Sequence, residues 1–396
     1  MRDPSPPSDG IAPAETTGSV EAARSPVETQ EPERLEDGVA LCLSGGGYRA
    51  MLFHVGAIWR LNELGYLAKL NRVSSVSGGS ITAGVLALHW DKLRFDGEVT
   101  ANLTELFVKP LRSLASKTID KPAVFRGVLL PGTISERIAS SYRKHVFGDA
   151  TLQDLPDSPR FVFNATSMQT GSLWRFSKPY MGDYRVGLVH NPTAHLAVAV
   201  AASSAFPPIL SPVVVDLDPE NFDPNERGPL FQEPYNKEAV LSDGGVYDNL
   251  GLETAWKRYR TILVSDGGGK MGPQPDPKHD WPRHAYRTLS VIDTQVRNLR
   301  KRQVVAGYLG GERDGAYWGI RSHVGDYGPP AGSLPVPDAS ALRLARTATR
   351  LAAMDDTLQE RLINWGYAIC DVAMRRWVNP DAPQPEAFPY PAAGVG

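Results

Sequence analysis

The chain has 396 residues, of which 42% are hydrophobic and 22% charged, with a formal net charge of −2. That length holds one large domain or two ordinary ones with a sizeable core, and so slight a charge gives no case for nucleic-acid binding. Two cysteines, Cys42 and Cys370, exclude a disulfide framework.

Met1 to Asp37 is rich in Pro, Glu, Ser and Thr and nearly lacks large apolar residues. It cannot offset the entropy of ordering, so residues 1–37 are expected to form a disordered tail. The absence of an apolar signal core there points to a cytoplasmic protein. Val39-Ala40-Leu41-Cys42-Leu43 is a strand-like apolar run, with Cys42 serving as a small hydrophobe. A helix follows from Tyr48 to Leu64: Met51, Leu52, Val55, Trp59 and Leu61 repeat at helical spacing, and Gly65 stands where a glycine ends a helix. Arg72–Val76 is the next strand and Ser80–Trp90 the next helix. Residues 91–150 are helical and loop-like, with breaks at Pro110, Pro122 and Pro131.

Arg160–Thr166 is a strand, and Ser172–Phe176 returns as a hairpin around Thr170-Gly171. Val186 to Val215 contains no charged residue and is long enough to cross a bilayer. Four prolines (192, 207, 208 and 212) and an Ala/Ser-rich middle argue against a span. A small-residue helix, Thr193 to Ala202, then a turn and a strand, describe it better. Residues 216–238 read as a surface loop, Ala239–Leu241 as a short strand delivering Asp243, and Thr261–Val264 as a strand ending at Asp266-Gly267-Gly268-Gly269. Helical patterns run from Tyr286 to Val305 and from Ala339 to Trp377, before a flexible C-terminal tail at 378–396. Short apolar strands alternating with helices predict an α/β fold, a three-layer sandwich with a mostly parallel central sheet flanked by helices. No linker interrupts 38–377, which is read as one domain.

Three motifs carry chemistry. A serine hydroxyl is a poor nucleophile; it must be exposed, deprotonated during attack and followed by stabilisation of an oxyanion. Ser75-Val76-Ser77-Gly78-Gly79, between a strand and a helix, has the small residues that let a sharp elbow expose Ser77, with the helix N-terminus aimed at it. Gly45-Gly46-Gly47 offers bare N–H groups for an oxyanion, where one donor is worth roughly 10²–10³ in rate. Arg49, just beyond, either braces that loop or faces a lipid phosphate. For the base there are eight histidines (54, 89, 145, 190, 195, 279, 284 and 323), none with a local signature. Asp243, followed by Gly244 and Gly245, is better placed, because burial at a sheet edge raises a carboxyl's pKa. A Ser77–Asp243 dyad is therefore the preferred engine. Asp266 is a competing aspartate, read as a structural strand end.

Ser44-Gly45-Gly46-Gly47-Tyr48-Arg49, Ser75-Val76-Ser77-Gly78-Gly79 and Asp243-Gly244-Gly245, in that order, resemble the patatin-like phospholipases. The first block is also similar to the glycine loop of cytosolic phospholipase A2 in that superfamily. Phe161-Val162-Phe163-Asn164-Ala165-Thr166 and the Ala/Ser-rich helix ending in Phe206-Pro207-Pro208 add to the likeness. The resemblance implies a Ser–Asp dyad without histidine, an oxyanion hole at the glycine loop and hydrolysis of acyl esters in lipids at a membrane surface. It departs in Ala50, where many patatins have glycine, and in Ser75 at the elbow's first glycine.

Other readings compete. Gly45-x-Gly47-x-x-Ala50 could open a dinucleotide site, but that needs an acidic residue at the end of the next strand, which ends instead in Ser77. A catalytically silent module binding a lipid or partner, or a nucleotide- or partner-regulated membrane-degrading effector, are the functional alternatives. Arg297, Arg300, Lys301 and Arg302 form either a headgroup contact or a solvated helix face. Trp174, Trp256 and Trp318 line an acyl groove or pack a core. His and Cys do not cluster at ligand spacing, so no metal or cofactor is expected.

Overall fold

The computed structural model describes residues 35–119, 134–208 and 210–396. Most of the expected N-terminal tail, together with Pro122 and Pro131, lies outside the described residues. The strands are β1 (Glu36–Leu43), β2 (Leu70–Ser75), β3 (Phe95–Asp96), β4 (Val99–Thr100), β5 (Arg160–Ser167), β6 (Leu173–Phe176), β7 (Tyr180–Asp183), β8 (Gly187–His190), β9 (Val213–Asp216), β10 (Glu238–Asp243), β11 (Tyr259–Asp266) and β12 (Asp314–Gly319). The helices that position the site are α1 (Gly47–Glu63), α2 (Gly78–His89), α3 (Leu196–Ser203), α4 (Trp281–Leu309) and α5 (Asp356–Trp377).

Ten strands form the central sheet, in the order β12-β11-β1-β2-β5-β6-β7-β8, with β10 joined to β5 and to β9. From β12 to β5 every neighbouring pair is parallel; β6, β7 and β8 continue as antiparallel hairpins. The central parallel strands β1 and β11 are buried on both faces over their C-terminal halves, which is why Val39–Leu43 and Ile262–Val264 read as unbroken apolar runs rather than alternating ones. Leu41, Leu43 and Leu263 point into the main core with the inner side chains of α1, α2 and α5. Ala40, Cys42, Ile262 and Val264 point the other way, against Leu250, Leu252, Ala255 and Val304 of α4. Helical cover on both faces makes the three-layer α/β architecture that the alternation of strands and helices implies.

β10 supplies the decisive turn of topology. It runs antiparallel to β5, with Leu241 opposite Ser167 and Asp243 opposite Ala165. At Ala165 the other edge of β5 is already taken by Trp174 of β6. β10 therefore shares an edge with β2, whose last residue, Ser75, lies opposite Phe163. Two strands approach head-on along one edge, their ends two β5 residues apart, about 6.6 Å at the usual rise per residue.

α1 and α5 touch backbone to backbone. A Cβ on Gly56 would stand 1.9 Å from the Ile363 carbonyl oxygen, and one on Gly366 1.9 Å from that of Phe53. The buried Arg60–Asp371 pair, at 2.8 Å, ties the same two helices. The stretch 378–396, expected to be loose, lies against α5: the Asn364 amide donates to the carbonyls of Tyr390 (2.8 Å) and Gly394 (2.7 Å) and accepts from the Tyr390 N–H. β9 is the strand expected after the small-residue helix, whereas β7, β8 and β12 have no clear sequence signature. β12 carries two glycines, and Gly315 is needed because a Cβ there would meet the Ile262 carbonyl oxygen at 1.9 Å. The pattern read as helical over 339–377 is two helices, Asp338–Ala345 and α5. No described helix is long and apolar enough to cross a membrane.

The glycine contact gives a direct test. Gly56→Ala should destabilise the fold by about 3 kcal/mol, the upper range for overpacking, because carbonyl groups rather than flexible side chains must yield. An exposed helical change such as Thr288→Ala should cost about 0.5 kcal/mol or less. Urea unfolding of the two variants beside the wild type measures the difference.

Candidate active site

Ser77 sits between β2 and α2 with φ 53° and ψ −122°. A non-glycine residue rarely adopts such a backbone; the arrangement costs on the order of 1–3 kcal/mol and persists only where surroundings enforce it. Here Ser77 N–H donates to the Ser203 carbonyl and Oγ, both at 3.1 Å, while Val76 N–H donates to the Leu43 carbonyl at 3.0 Å. Gly78 and Gly79 permit the close approach: Cβ atoms there would lie 2.2 Å from the Gly47 carbonyl oxygen and 2.4 Å from that of Leu43. Ser77 remains 8% exposed.

Ser75, the departure at the elbow, is put to use. Its hydroxyl donates to the Val162 carbonyl at 3.2 Å and accepts from Ser80 at 3.0 Å, and the Ser80 hydroxyl is 2.8 Å from that of Ser203. Ser203 Oγ in turn donates to the Asn164 carbonyl at 2.6 Å. Asn164 Nδ2 donates to Ser74 Oγ and to the Ser75 carbonyl. Ala50, the other departure, has room because Gly267 lacks a side chain; a Cβ there would meet that of Ala50 at 2.6 Å.

Asp243 ends β10, is 1% exposed, and is set by three main-chain contacts. Its N–H donates to the Ala205 carbonyl (2.9 Å), its carbonyl accepts from Thr166 (2.8 Å), and the next N–H, of Gly244, donates to the Ser203 carbonyl (3.2 Å). Carboxyl Oδ1 accepts from Gly245 N–H at 2.7 Å. The Ser77 hydroxyl is beside this carboxyl and favours its charged form. Carboxyl Oδ2 is buried with no hydrogen-bond partner among the described residues. Burial is the largest influence and lifts the pKa to about 7, opposed by Gly245 and Ser77 and assisted by Asp293. Gly244 and Gly245 are required by space: Cβ atoms would stand 2.2 Å from the Asn164 carbonyl oxygen and 2.6 Å from Asn249 Oδ1.

In the glycine loop the three residues differ. Gly45 N–H donates to the Asn249 carbonyl at 3.1 Å, and a Cβ on Gly45 would press on Asn249 Oδ1 (2.5 Å) and Ser77 Cβ (3.0 Å). The N–H groups of Gly46 and Gly47 donate to no group among the described residues. Both have positive φ, 145° and 60°. Arg49 is 3% exposed and acts as a brace: Nε and Nη2 donate to the Gly267 carbonyl at 3.2 and 3.1 Å, and Nη1 to that of Thr347 at 2.6 Å.

No histidine pairs with Ser77 or Asp243 among the described residues. His54 lies behind the glycine loop, its ring between Ser265 Oγ (2.8 Å) and the Ser44 carbonyl (2.9 Å), and burial lowers its pKa to about 4. Asp266 is held charged within a buried cluster of Lys301 (2.7 Å), Tyr317 (2.7 Å) and Gly268 N–H (2.9 Å). Trp174 and Trp318 are core residues at 1% and 0% exposure. Arg297, Arg300 and Lys301 are ion-paired, to Asp293, Glu253 and Asp266. Elsewhere, exposed His190 and the half-buried Asp223 and Glu226 have ligand atoms within 4.8 Å of one another, with His190 Nε2 2.5 Å from a Glu226 carboxylate oxygen. Sequence reasoning assigns no part to Ser203, Asn164 or Asn249. The first two fall in segments it notes for their pattern alone, and nothing marks the third.

The patatin-like phospholipase family model matches residues 41–256, more than half of the chain, and the chain belongs to that family. No curated protein matches. Among solved structures, the human GIVD cytosolic phospholipase A2 is similar with a TM-score of 0.49 and 12% identity over 84% of this chain and 60% of that one. Its complex with methyl γ-linolenyl fluorophosphonate gives 0.47 and 15% over 84% and 57%. VipD from Legionella pneumophila gives 0.32 and 14% over 85% and 66%. This chain thus spans about three fifths of the length of the phospholipase A2 chains it matches.

Two stability measurements follow. Ser77→Gly should be more stable than Ser77→Ala by about 1 kcal/mol, because only glycine relieves the positive φ; equal denaturant midpoints would remove strain from the elbow. A carboxyl whose folded pKa lies above its unfolded value of about 3.9 costs stability that grows as pH rises from that value through about 7. Asp243→Asn should therefore melt several degrees above the wild type at pH 8, with the gap closing towards pH 4.

Proposed function

We propose that the protein is a serine lipid acyl hydrolase in which Ser77 is the nucleophile and Asp243 its base. The observation that carries this reading is the head-on approach of β2 and β10 along one edge of β5, which sets a strained serine beside a buried carboxyl. Ser77 Oγ attacks the ester carbonyl carbon while its proton passes to Asp243. The N–H groups of Gly46 and Gly47, free of other duties, receive the oxyanion; Gly45 contributes space. The tetrahedral intermediate expels the lipid alkoxide, which takes the proton from Asp243. Water then attacks the acyl-serine ester, again losing its proton to Asp243, and releases the fatty acid with Ser77 restored. A base with a pKa near the working pH suits both proton transfers.

A lipid surface is the proposed place of work. Phe206, next to the Ala205 carbonyl that anchors Asp243, and Val246, one residue past Gly245, are exposed. α4 packs against the short helix Gly245–Asp248 and leaves Trp281, Tyr286, Leu289, Ile292 and Leu299 exposed. Such apolar side chains around a site are costly in water and favourable against acyl chains. The family to which the chain belongs agrees with this substrate class.

Purified protein should release p-nitrophenol from a p-nitrophenyl acyl ester and react with a fluorophosphonate. Ser77→Ala should abolish both, and Asp243→Asn should lower the rate by at least about 10³. Plotted against pH, kcat/KM should rise through an apparent pKa of about 7, since only the ionised carboxylate accepts a proton. A pH-independent rate from pH 5 to 9, or hydrolysis surviving Ser77→Ala, would overturn the dyad.

A further inference from the structure

Ser77 lines neither of two cavities elsewhere in the protein: one of about 180 Å³ around Phe161 and Lys178, and one of about 250 Å³ at the C-terminal ends of β11 and β12. The second is strongly basic. Lys270, Arg297, Lys301 and Arg321 line it against one carboxylate, Asp266. A second carboxylate, Asp293, pairs with Arg297, so two positive charges stay uncompensated by any carboxylate among the described residues. The buried guanidinium of Arg49 lies behind the Gly267–Gly269 loop, where a Cβ on Gly269 would stand 3.4 Å from its Nη2. Arg49 is lowered to about 10, first by burial and then by repulsion from Arg321, with Arg297 adding to it.

The donors are as telling as the charges. Arg297 spends Nη2 on Asp293 and Arg321 spends Nη2 on the Ala345 carbonyl. The Nε of each is buried without a hydrogen-bond partner among the described residues. A buried guanidinium N–H with no acceptor is costly, and arginine forks present their donors in the geometry that phosphate oxygens accept.

The geometry points to a phosphate-binding site formed by Arg297, Arg321 and Lys270 beside the Gly267–Gly269 loop. It adjoins the candidate active site through one side chain. Asn249 stands against Gly45 on one flank and, at 3.1 Å from a Cβ built on Gly268, against the cavity loop on the other. Crevices at the carboxyl ends of parallel strands are where open α/β sheets take ligands. The phosphate is either the headgroup phosphate of the lipid whose ester lies at Ser77, which rests on the hydrolase reading, or that of a free phosphorylated ligand, which does not.

Binding is tested first, without any need for activity. Inorganic phosphate, titrated into the full chain at constant ionic strength with chloride as the control, should raise the melting temperature. The apparent dissociation constant should weaken about tenfold or more in Arg297→Gln and in Arg321→Gln. Lys270→Glu serves as a third variant whose side chain is exposed and has no buried contact to lose. Absence of protection in the wild type, or protection of equal strength in all three variants, overturns the site. Given protection, the source is read from the ratio of kcat/KM for a phosphatidylcholine to that for the diacylglycerol with the same chains. A ratio that falls about tenfold in Arg321→Gln identifies the headgroup phosphate; an unchanged ratio identifies a free phosphorylated ligand. If the protein hydrolyses neither lipid, the hydrolase reading fails and the phosphate titration still decides the site.

Discussion

One carbonyl group holds the candidate site together. The Ser203 oxygen accepts from Ser77 N–H at 3.1 Å and from Gly244 N–H at 3.2 Å, so the end of α3 fixes both the elbow and the residue following Asp243. Its hydroxyl extends the same grip to Ser80 and Asn164. A strained backbone needs surroundings that over-determine it, and these hydrogen bonds, buried away from water where each is expensive to lose, are what does so. Among the described residues, main-chain groups rather than an imidazole hold Ser77 and Asp243 in place.

The glycines divide into two groups with different purposes. Gly78, Gly79, Gly244 and Gly245 are there because neighbouring atoms leave no room for a Cβ. Gly46 and Gly47 also adopt backbone angles that side chains resist, and their N–H groups are left unspent. Arg49 closes this loop onto β11 by donating to two main-chain carbonyls, which keeps the N–H groups from drifting with the loop. Its Nε, Nη1 and Nη2 all donate there, and cationic groups with spare donors lie one strand further out.

The sequence was legible where local pattern and position coincide. Apolar runs marked β1, β5 and β11, and the small residues after β1 and β2 gave both strand-to-helix turns. The part that could not be read is long-range. That β10 would enter antiparallel, and meet β2 end to end on β5, depends on pairings between residues more than 70 positions apart. The short strands β7 and β8, each carrying a glycine, owe their conformation to hydrogen-bonded neighbours rather than to propensity. Ser203, Asn164 and Asn249 act through main-chain hydrogen bonds or close packing, for which residue type carries little signal.

The backbone contact of α1 with α5 and the central place of β11 bear on where this unit ends. The family match stops at 256, yet β11 supplies the neighbour on which β1 is laid, and α5 covers the apolar side of α1 at glycine-to-carbonyl range. A fragment cut at that boundary would expose the interior of the sheet and leave the elbow's scaffold without a wall. The packing that surrounds the site therefore runs past the last matched residue, on through the last long helix.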